Sequence, residues 1–162
     1  MKRFGKILMV AALAMVSYSA SAELAPQWSK GTMMANAELG VQPFGGAVSV
    51  DYVLVDEWWK GHFTVGGEFD FRSQNHWGAI GVTPRATYGL NITDQFEVHV
   101  AAAMGFGFAN YDHDGIEDDD SFILHNEMIG CRFFFNDNIG VIAETGVANW
   151  FPVLRAGITI KF

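Results

Sequence analysis

The sequence predicts an all-β fold, an eight-stranded antiparallel up-and-down transmembrane β-barrel. The last ten residues, 153–162, alternate strictly between apolar and polar side chains and end on Phe162. Such a period of two is typical of a strand with one apolar and one polar face. Seven earlier segments alternate in the same way, which gives the even strand number of single-chain barrels. The N-terminus adds a third observation, because it has the marks of an export signal.

Residues 1–22 have the composition of a secretory signal peptide. A basic start with Lys2, Arg3 and Lys6 precedes an apolar run over 7–16 and a small-residue end at 20–22. The apolar run is too short to span a bilayer as a helix. We therefore expect cleavage before residue 23 and assign 23–162 to one barrel domain. A buried N-terminal helix is the less favoured alternative.

The composition of the remaining 140 residues fits one domain and excludes several classes. The signal holds three of the ten basic residues, so 18 acidic side chains face 7 basic ones and the net charge is −11. This charge argues against nucleic-acid binding, which needs basic patches. The sole cysteine, Cys131, excludes an internal disulfide framework. The absence of eighteen consecutive apolar residues excludes a transmembrane helix.

Eight strands are predicted after a periplasmic lead-in at 23–31. In the fourth strand, Leu90 is placed on the outward face, and Pro84 predicts a bulge because proline lacks a ladder donor. In the sixth strand, His125 and Glu127 share a face with apolar residues. Either that end projects above the membrane, or a bulge shifts its register. The predicted strands span 32–42, 47–55, 63–72, 79–90, 96–109, 122–135, 139–147 and 153–162.

The predicted connections alternate between two sides of the membrane. Trp58 and Trp59 lie in the first periplasmic connection, where paired tryptophans fit an interfacial aromatic girdle. Core anchors are the alternative interpretation. The longest connection is predicted on the outer side, as expected for this class. The periplasmic connections are predicted at 56–62, 91–95 and 136–138, and the outer ones at 43–46, 73–78, 110–121 and 149–152.

The last third of the chain resembles a known family. The stretch from Gly130 to Gly146, followed by Arg155 to Phe162, is similar to the closing hairpin and last strand of small porin-like outer-membrane β-barrel domains, the opacity-type and OmpX-like group. This resemblance implies the outer membrane of a Gram-negative-type bacterium, with outer-membrane lipids and the barrel-assembly machinery as partners. Family members have varied surface roles. The resemblance also implies an assembly signal formed by Ala156, Ile158, Ile160 and Phe162.

The inward face is predicted to carry a charge network. Unpaired charges in a narrow closed interior are very costly, so pairing is expected. Eight strands leave an interior just wide enough for side chains, which favours a filled polar core over a conducting pore, with a narrow porin-like channel as an alternative. The acids are Glu38, Asp51, Glu68, Asp70, Glu97 and Glu144; the bases are Arg72, Arg85, Arg132, Arg155 and Lys161, with His99 nearby. Expected pairs are Arg85 with Glu97, Arg132 with Glu144, and Arg155 with Glu38 or Glu144.

The connection at 110–121 contains six carboxylates. Oxygen-rich clusters suit Ca²⁺ or Mg²⁺. Gly115 comes too early for an EF-hand, and no glutamate closes the loop at position twelve. A solvated acidic loop is therefore favoured, with weak divalent-cation binding as a speculative site, and no other cofactor is expected. The carboxylates belong to Asp112, Asp114, Glu117, Asp118, Asp119 and Asp120.

Serine and histidine residues raise an enzymatic alternative. Barrels that modify lipid A use a serine with a histidine and an acid at the rim. Here Ser121 precedes His125-Asn126-Glu127, and a second serine–histidine pair lies at 73 and 76. Neither matches a recognisable motif of those enzymes, so we predict no enzyme. The predicted function is a small outer-membrane barrel with a structural or surface-interaction role, whose surface ligand the sequence does not name.

Overall fold

The structure, a computed structural model, describes residues 25–41, 43–74, 77–113 and 116–162, of which 111–113 and 116–119 by their backbone alone. The predicted signal peptide lies outside these ranges. Each strand pairs antiparallel with the next, and the last strand pairs with the first to close the barrel. The predicted fold class is confirmed. The strands are β1 Met33–Val41, β2 Gly45–Trp58, β3 Gly61–Gln74, β4 Trp77–Asn91, β5 Phe96–His113, β6 Ile116–Phe134, β7 Ile139–Ala148 and β8 Leu154–Lys161.

The barrel is polar inside and apolar outside. Inward side chains such as Asp51 and His99 are fully buried. Outward side chains such as Val82, Phe106 and Ile123 are 64%, 71% and 65% exposed. A wall of exposed apolar residues reverses the usual arrangement of a protein in water and matches the lipid-facing band of a membrane barrel. Within the described ranges, no helix is long and apolar enough to cross a bilayer.

The connection between β2 and β3 is shorter than the predicted 56–62. It is a two-residue turn of Trp59 and Lys60, which have φ values of 48° and 66°. Two consecutive positive φ values are those of a type I′ hairpin turn, whose twist matches the flanking strands. Trp58 packs edge-on against Phe63 and Tyr88. An exposed aromatic group therefore lies at these strand ends, where the girdle is predicted.

The predicted bulge at Pro84 is wrong. Pro84 lies opposite Gly67 in a continuous β3–β4 register. On the β5 side the ladder skips Thr83 and Pro84, but Val82 and Arg85 pair in the same register before and after the gap. The strand thus loses a ladder bond at the proline without needing an extra residue. The register shifts lie instead near the end of β2, within 53–58.

Strand β6 is regular and long, so the bulge considered for it is also wrong. Its register against β5 is constant from the Phe96–Phe133 pair to the His113–Ile116 pair. The last β6–β7 pair is Asn126 with Ala148, and residues 116–125 lie beyond it. The other alternative, projection of this end, is the observed one.

The projecting β5–β6 hairpin replaces most of the loop predicted at 110–121. Ladder pairs continue through Asn110–Asp119 to His113–Ile116. The error arose because these residues are mainly Asp, Asn and Glu, which give no alternation of hydrophobicity. Backbone hydrogen bonds hold such a ladder together even where the side chains have low β-propensity.

One end of the barrel, which was predicted to face the periplasm and is called the periplasmic end below, is closed by the segment that was predicted to be a lead-in. Trp28 is buried, with its ring centroid 4.7 Å from that of His62 and 5.5 Å from that of Phe134. The side-chain amide of Asn91 donates to the carbonyl of Pro26 at 2.9 Å. Leu90, predicted to face outward, is buried beside Asn91, so burial at this strand end no longer alternates.

The opposite end, which was predicted to face outward and is called the outer end below, is closed by the connection between β7 and β8. Phe151 is buried against Ala79, Ala109 and Leu124. A Cβ atom added at Gly81 would collide with Leu124 and Phe151, which shows how closely this layer is packed. The charged middle of the barrel therefore lies between two apolar layers.

Candidate functional site: the charged barrel interior

Six carboxylates and three guanidinium groups fill the middle of the barrel. Each of these nine residues is at most 3% exposed. They come from all eight strands, and each occupies an inward position of its strand. The acids are Glu38, Asp51, Glu68, Asp70, Glu97 and Glu144, and the bases are Arg85, Arg132 and Arg155.

Arg85 joins the two sides of the interior. Its Nη1 donates to Glu68 on the neighbouring strand β3, and its Nη2 donates to Glu144 on β7. Its Nε lies 3.4 Å from Asp51 Oδ1. Because β4 and β7 are not neighbours, the bond to Glu144 crosses the lumen.

Arg132 makes a second bridge across the lumen, nearer the periplasmic end. Its Nη1 lies 3.0 Å from Glu97 Oε1, its direct ladder partner on β5. Its Nη2 lies 2.6 Å from Asp51 Oδ2 on β2. His99 links this group to the first one, since its Nε2 lies 2.8 Å from Glu144 and its Nδ1 lies 3.3 Å from Glu97.

Arg155 serves three carboxylates. It donates to Glu144, its ladder partner on β7, at 2.7 Å. Across the lumen it donates to Asp70 at 2.9 Å and to Glu68 at 3.2 Å. Removing such a shared guanidinium would leave several buried charges unpaired.

Two of the expected pairs are wrong. Arg85 bonds Glu68 and Glu144 rather than Glu97, and Arg132 bonds Glu97 rather than Glu144. The register explains the difference, because Glu97 lies directly opposite Arg132. Of the partners expected for Arg155, Glu144 is hydrogen-bonded and Glu38 lies 4.0 Å away.

Two predicted bases lie away from the buried network. Arg72 is half-buried at the outer rim, where Nη1 donates to the Trp150 carbonyl and the guanidinium lies 3.7 Å from the Trp77 ring centroid. Lys161 lies at the periplasmic end, with its Nζ 4.8 Å from the Phe134 ring centroid. The middle of the interior therefore has six acids and three arginines, and the near-neutral balance expected from sequence is wrong.

The network also includes two asparagines that were not among the predicted residues of the interior. Asn126 donates to Glu68 at 2.8 Å and to Asp70 at 3.2 Å. Asn36 donates to Asp51 at 3.2 Å. The period of two along a strand could have identified Asn126, because it lies six residues before Arg132 and therefore shares the inward face of Arg132.

The residues of the predicted assembly signal lie on the outward face of β8 and at its end. Phe162 is 72% exposed, and its backbone N–H donates to the Met33 carbonyl at 2.8 Å, which continues the seam with β1. Ala156, Ile158 and Ile160 are exposed on the same face. Their role in assembly stays a prediction.

The speculative cation site lies on the projecting hairpin. Of its six carboxylates, Asp120 is described and exposed, and the other side chains lie outside what the structure describes. Among the described residues, no group of three or more His, Cys, Asp and Glu side chains could hold a metal ion. Divalent-cation binding by this hairpin stays a prediction.

The arrangement at Ser121 does not support the enzymatic alternative. Ser121 and His125 lie four residues apart on one strand, which is about 13 Å at the rise of a β-strand. A serine nucleophile needs a base within hydrogen-bond reach. His125 is instead 3.9 Å from Glu127 on the outward face. The serine–histidine pair at 73 and 76 is not testable, because residue 76 lies outside the described ranges.

Solved structures with a similar fold are transmembrane barrels. A de novo designed transmembrane β-barrel matches 84% of this chain and 99% of its own, with a TM-score of 0.62 and 12% identity. The N-terminal β-barrel domain of OprF from Pseudomonas aeruginosa matches 83% and 100%, with a TM-score of 0.58 and 13% identity. Neisserial surface protein A matches 80% and 92%, with a TM-score of 0.50 and 13% identity.

No protein-family model matches the sequence, and no curated protein matches it. At 12–13% identity, the similarity to solved structures concerns the fold. Because it covers nearly the full length of those barrels, it applies to the whole architecture rather than to one hairpin. The chain therefore has the fold of the small eight-stranded outer-membrane β-barrels, the group that its last third was predicted to resemble.

Proposed function

We propose that this protein is inserted in the outer membrane of a Gram-negative-type bacterium after export by residues 1–22. The exposed apolar wall supports this location, since Val82, Phe106 and Ile123 would lie in lipid rather than in water. Outer-membrane lipids surround the barrel, and the barrel-assembly machinery inserts it.

The proposed role is structural or one of surface interaction, without a large pore and without catalysis. One observation carries this proposal, namely that the interior is filled and closed. Arginine–carboxylate bonds cross the lumen, Trp28 packs across the periplasmic end, and Phe151 packs across the outer end. Such a barrel anchors in the membrane the connections and hairpins at its two ends.

The β5–β6 hairpin is the element that the barrel presents. It extends beyond the end of β7 by residues 116–125 of β6. On the predicted orientation it lies on the outer side, where its acidic residues favour basic or cation-bridged partners.

Location is tested by fractionating cells and running membrane-extracted protein on gels with and without boiling. We expect the outer-membrane fraction and a heat-modifiable shift, because a closed barrel resists detergent until it is heated. A soluble, helical periplasmic product would contradict the proposal.

The surface role is tested by a binding screen of whole cells against a panel of soluble proteins and glycans. Three strains are compared: one with the full chain, one without it, and one lacking residues 111–118. The deletion joins Asn110 to Asp119, which are ladder partners, so the barrel below stays intact. Binding that requires the full hairpin is expected. Identical binding by all three strains would contradict a surface role for the hairpin.

A further inference from the structure

We propose that the barrel interior binds a hard cation beside Glu38. Glu38 is 3% exposed, and neither of its carboxylate oxygens receives a hydrogen bond from a described residue. The nearest ion-pair contact is Arg155 Nε at 4.0 Å. Each of the other five interior acids receives at least one hydrogen bond, from an arginine, a histidine or an asparagine.

The charge balance of the barrel interior also favours a bound cation. Six buried carboxylates face three arginines, and counting His99 as a fourth cation still leaves two negative charges in excess. Excess charge enclosed between two apolar layers needs compensation within the interior, because water outside does not solvate it.

Two further oxygen atoms without hydrogen-bond partners in the described part of the chain belong to inward residues of the same β1–β8 pair as Glu38. Asn36 lies two residues before Glu38 on the same inward face of β1. Thr159 on β8 is the direct ladder partner of Asn36. Asn36 Oδ1 and Thr159 Oγ1 both lack a hydrogen-bond partner among the described residues. The orientation of the Asn36 amide is fixed, since its nitrogen donates to Ser49 at 2.9 Å and to Asp51 at 3.2 Å.

A cation supplies positive charge and coordinates several oxygen atoms at once. A water molecule would donate to these oxygens but brings no charge, and a proton would neutralise the carboxylate but satisfies a single oxygen. A cation compensates the charge and accepts several oxygen ligands together. One carboxylate, one amide oxygen and one hydroxyl form a donor set for a hard cation such as Na⁺ or Ca²⁺, not for a metal that prefers nitrogen or sulfur.

The test uses Na⁺ as the probe, because divalent ions would also act on the acidic hairpin. The full-length barrel, refolded in a zwitterionic detergent, is melted in sodium chloride and in choline chloride of equal ionic strength. We expect the Tm to be about 3 °C or more higher in sodium. The Glu38→Gln variant should have the same Tm in both salts.

Two further variants keep the test decisive. Thr159→Val removes one ligand oxygen without changing charge, so it should reduce the sodium effect even if Glu38→Gln fails to fold. Asp94→Asn removes an exposed carboxylate in a periplasmic turn and should keep the full effect. Equal melting of the wild type in both salts, or an unchanged sodium effect in Glu38→Gln or Thr159→Val, would overturn the proposal.

Discussion

The barrel interior and the β5–β6 hairpin are both rich in carboxylates, but they lie in different parts of the fold. In the interior, six acids are at most 3% exposed and share three arginines. On the hairpin, six acids are spread over residues 112–120 of a ladder that continues past the barrel wall. Buried ion pairs cost several kcal/mol when one partner is removed, whereas exposed charges are screened and contribute about 0–1 kcal/mol. Burial, rather than the kind of side chain, decides what each carboxylate contributes.

The largest expected effect is that of removing Arg155. Arg155→Met leaves Glu68, Asp70 and Glu144 without one shared donor, so we expect a loss of about 3–5 kcal/mol in the free energy of unfolding. Urea unfolding of the detergent-refolded barrel measures it. Arg72→Met at the half-buried rim is the matched control and should lose clearly less. Equal losses of unfolding free energy in the two variants would show that burial of the arginine does not determine the size of the loss.

Removing either apolar layer should have the next largest effect. Trp28→Ala and Phe151→Ala each open a cavity in a packed end of the barrel, with an expected loss of about 3 kcal/mol. Trp59→Ala is the control, because Trp59 is 76% exposed and should change stability by less than about 1 kcal/mol. The same unfolding experiment compares all three. A Trp28 variant as stable as the Trp59 variant would contradict the closure of the periplasmic end.

Removing Phe162 should affect assembly more than stability. The side chain is 72% exposed and makes little packing inside the barrel, so refolding into detergent should change slightly. In cells, we expect less inserted protein, because the C-terminal aromatic residue belongs to the predicted assembly signal. Immunoblots of outer-membrane fractions measure this amount. Unchanged insertion of the truncated chain would refute the signal.

The smallest effect is expected on the hairpin. Replacing Asp118, Asp119 and Asp120 by Asn should leave stability nearly unchanged without divalent ions. It should also remove most of the modest rise in Tm that we expect Ca²⁺ or Mg²⁺ to give the wild type, because crowded carboxylates repel one another and cations that bridge them relieve this repulsion weakly. Melting curves recorded with calcium at roughly 10 mM and with a chelator in its place provide the comparison. An equal calcium effect in both chains would show that the hairpin is a solvated surface.

Much of the wall could be predicted from the sequence, because a barrel wall repeats one local rule. Alternation with period two fixed the strand number and the facing of most residues, including Glu68 and Asp70 inside and Phe69 outside. The rule failed at a strand end where burial stops alternating, as at Leu90, and where the strand continues without apolar residues, as on the hairpin.

The contacts across the lumen could not be predicted in the same way. Arg85–Glu144 and Arg132–Asp51 join strands that are not neighbours, so neither sequence spacing nor ladder register places them together. The two segments that close the ends of the barrel were not predicted either, for a related reason. Trp28 and Phe151 lie in short segments outside the strands, and nothing local shows that such segments fold inward.

Planar-bilayer recording can show directly whether the interior is filled and closed, as we claim. The wild-type barrel should give no stable, large conductance steps. The Trp28→Ala/Phe151→Ala double variant should also give none, because Arg85, Arg132 and Arg155 still bridge the lumen. Stable, large conductance steps from the wild-type protein would contradict the claim.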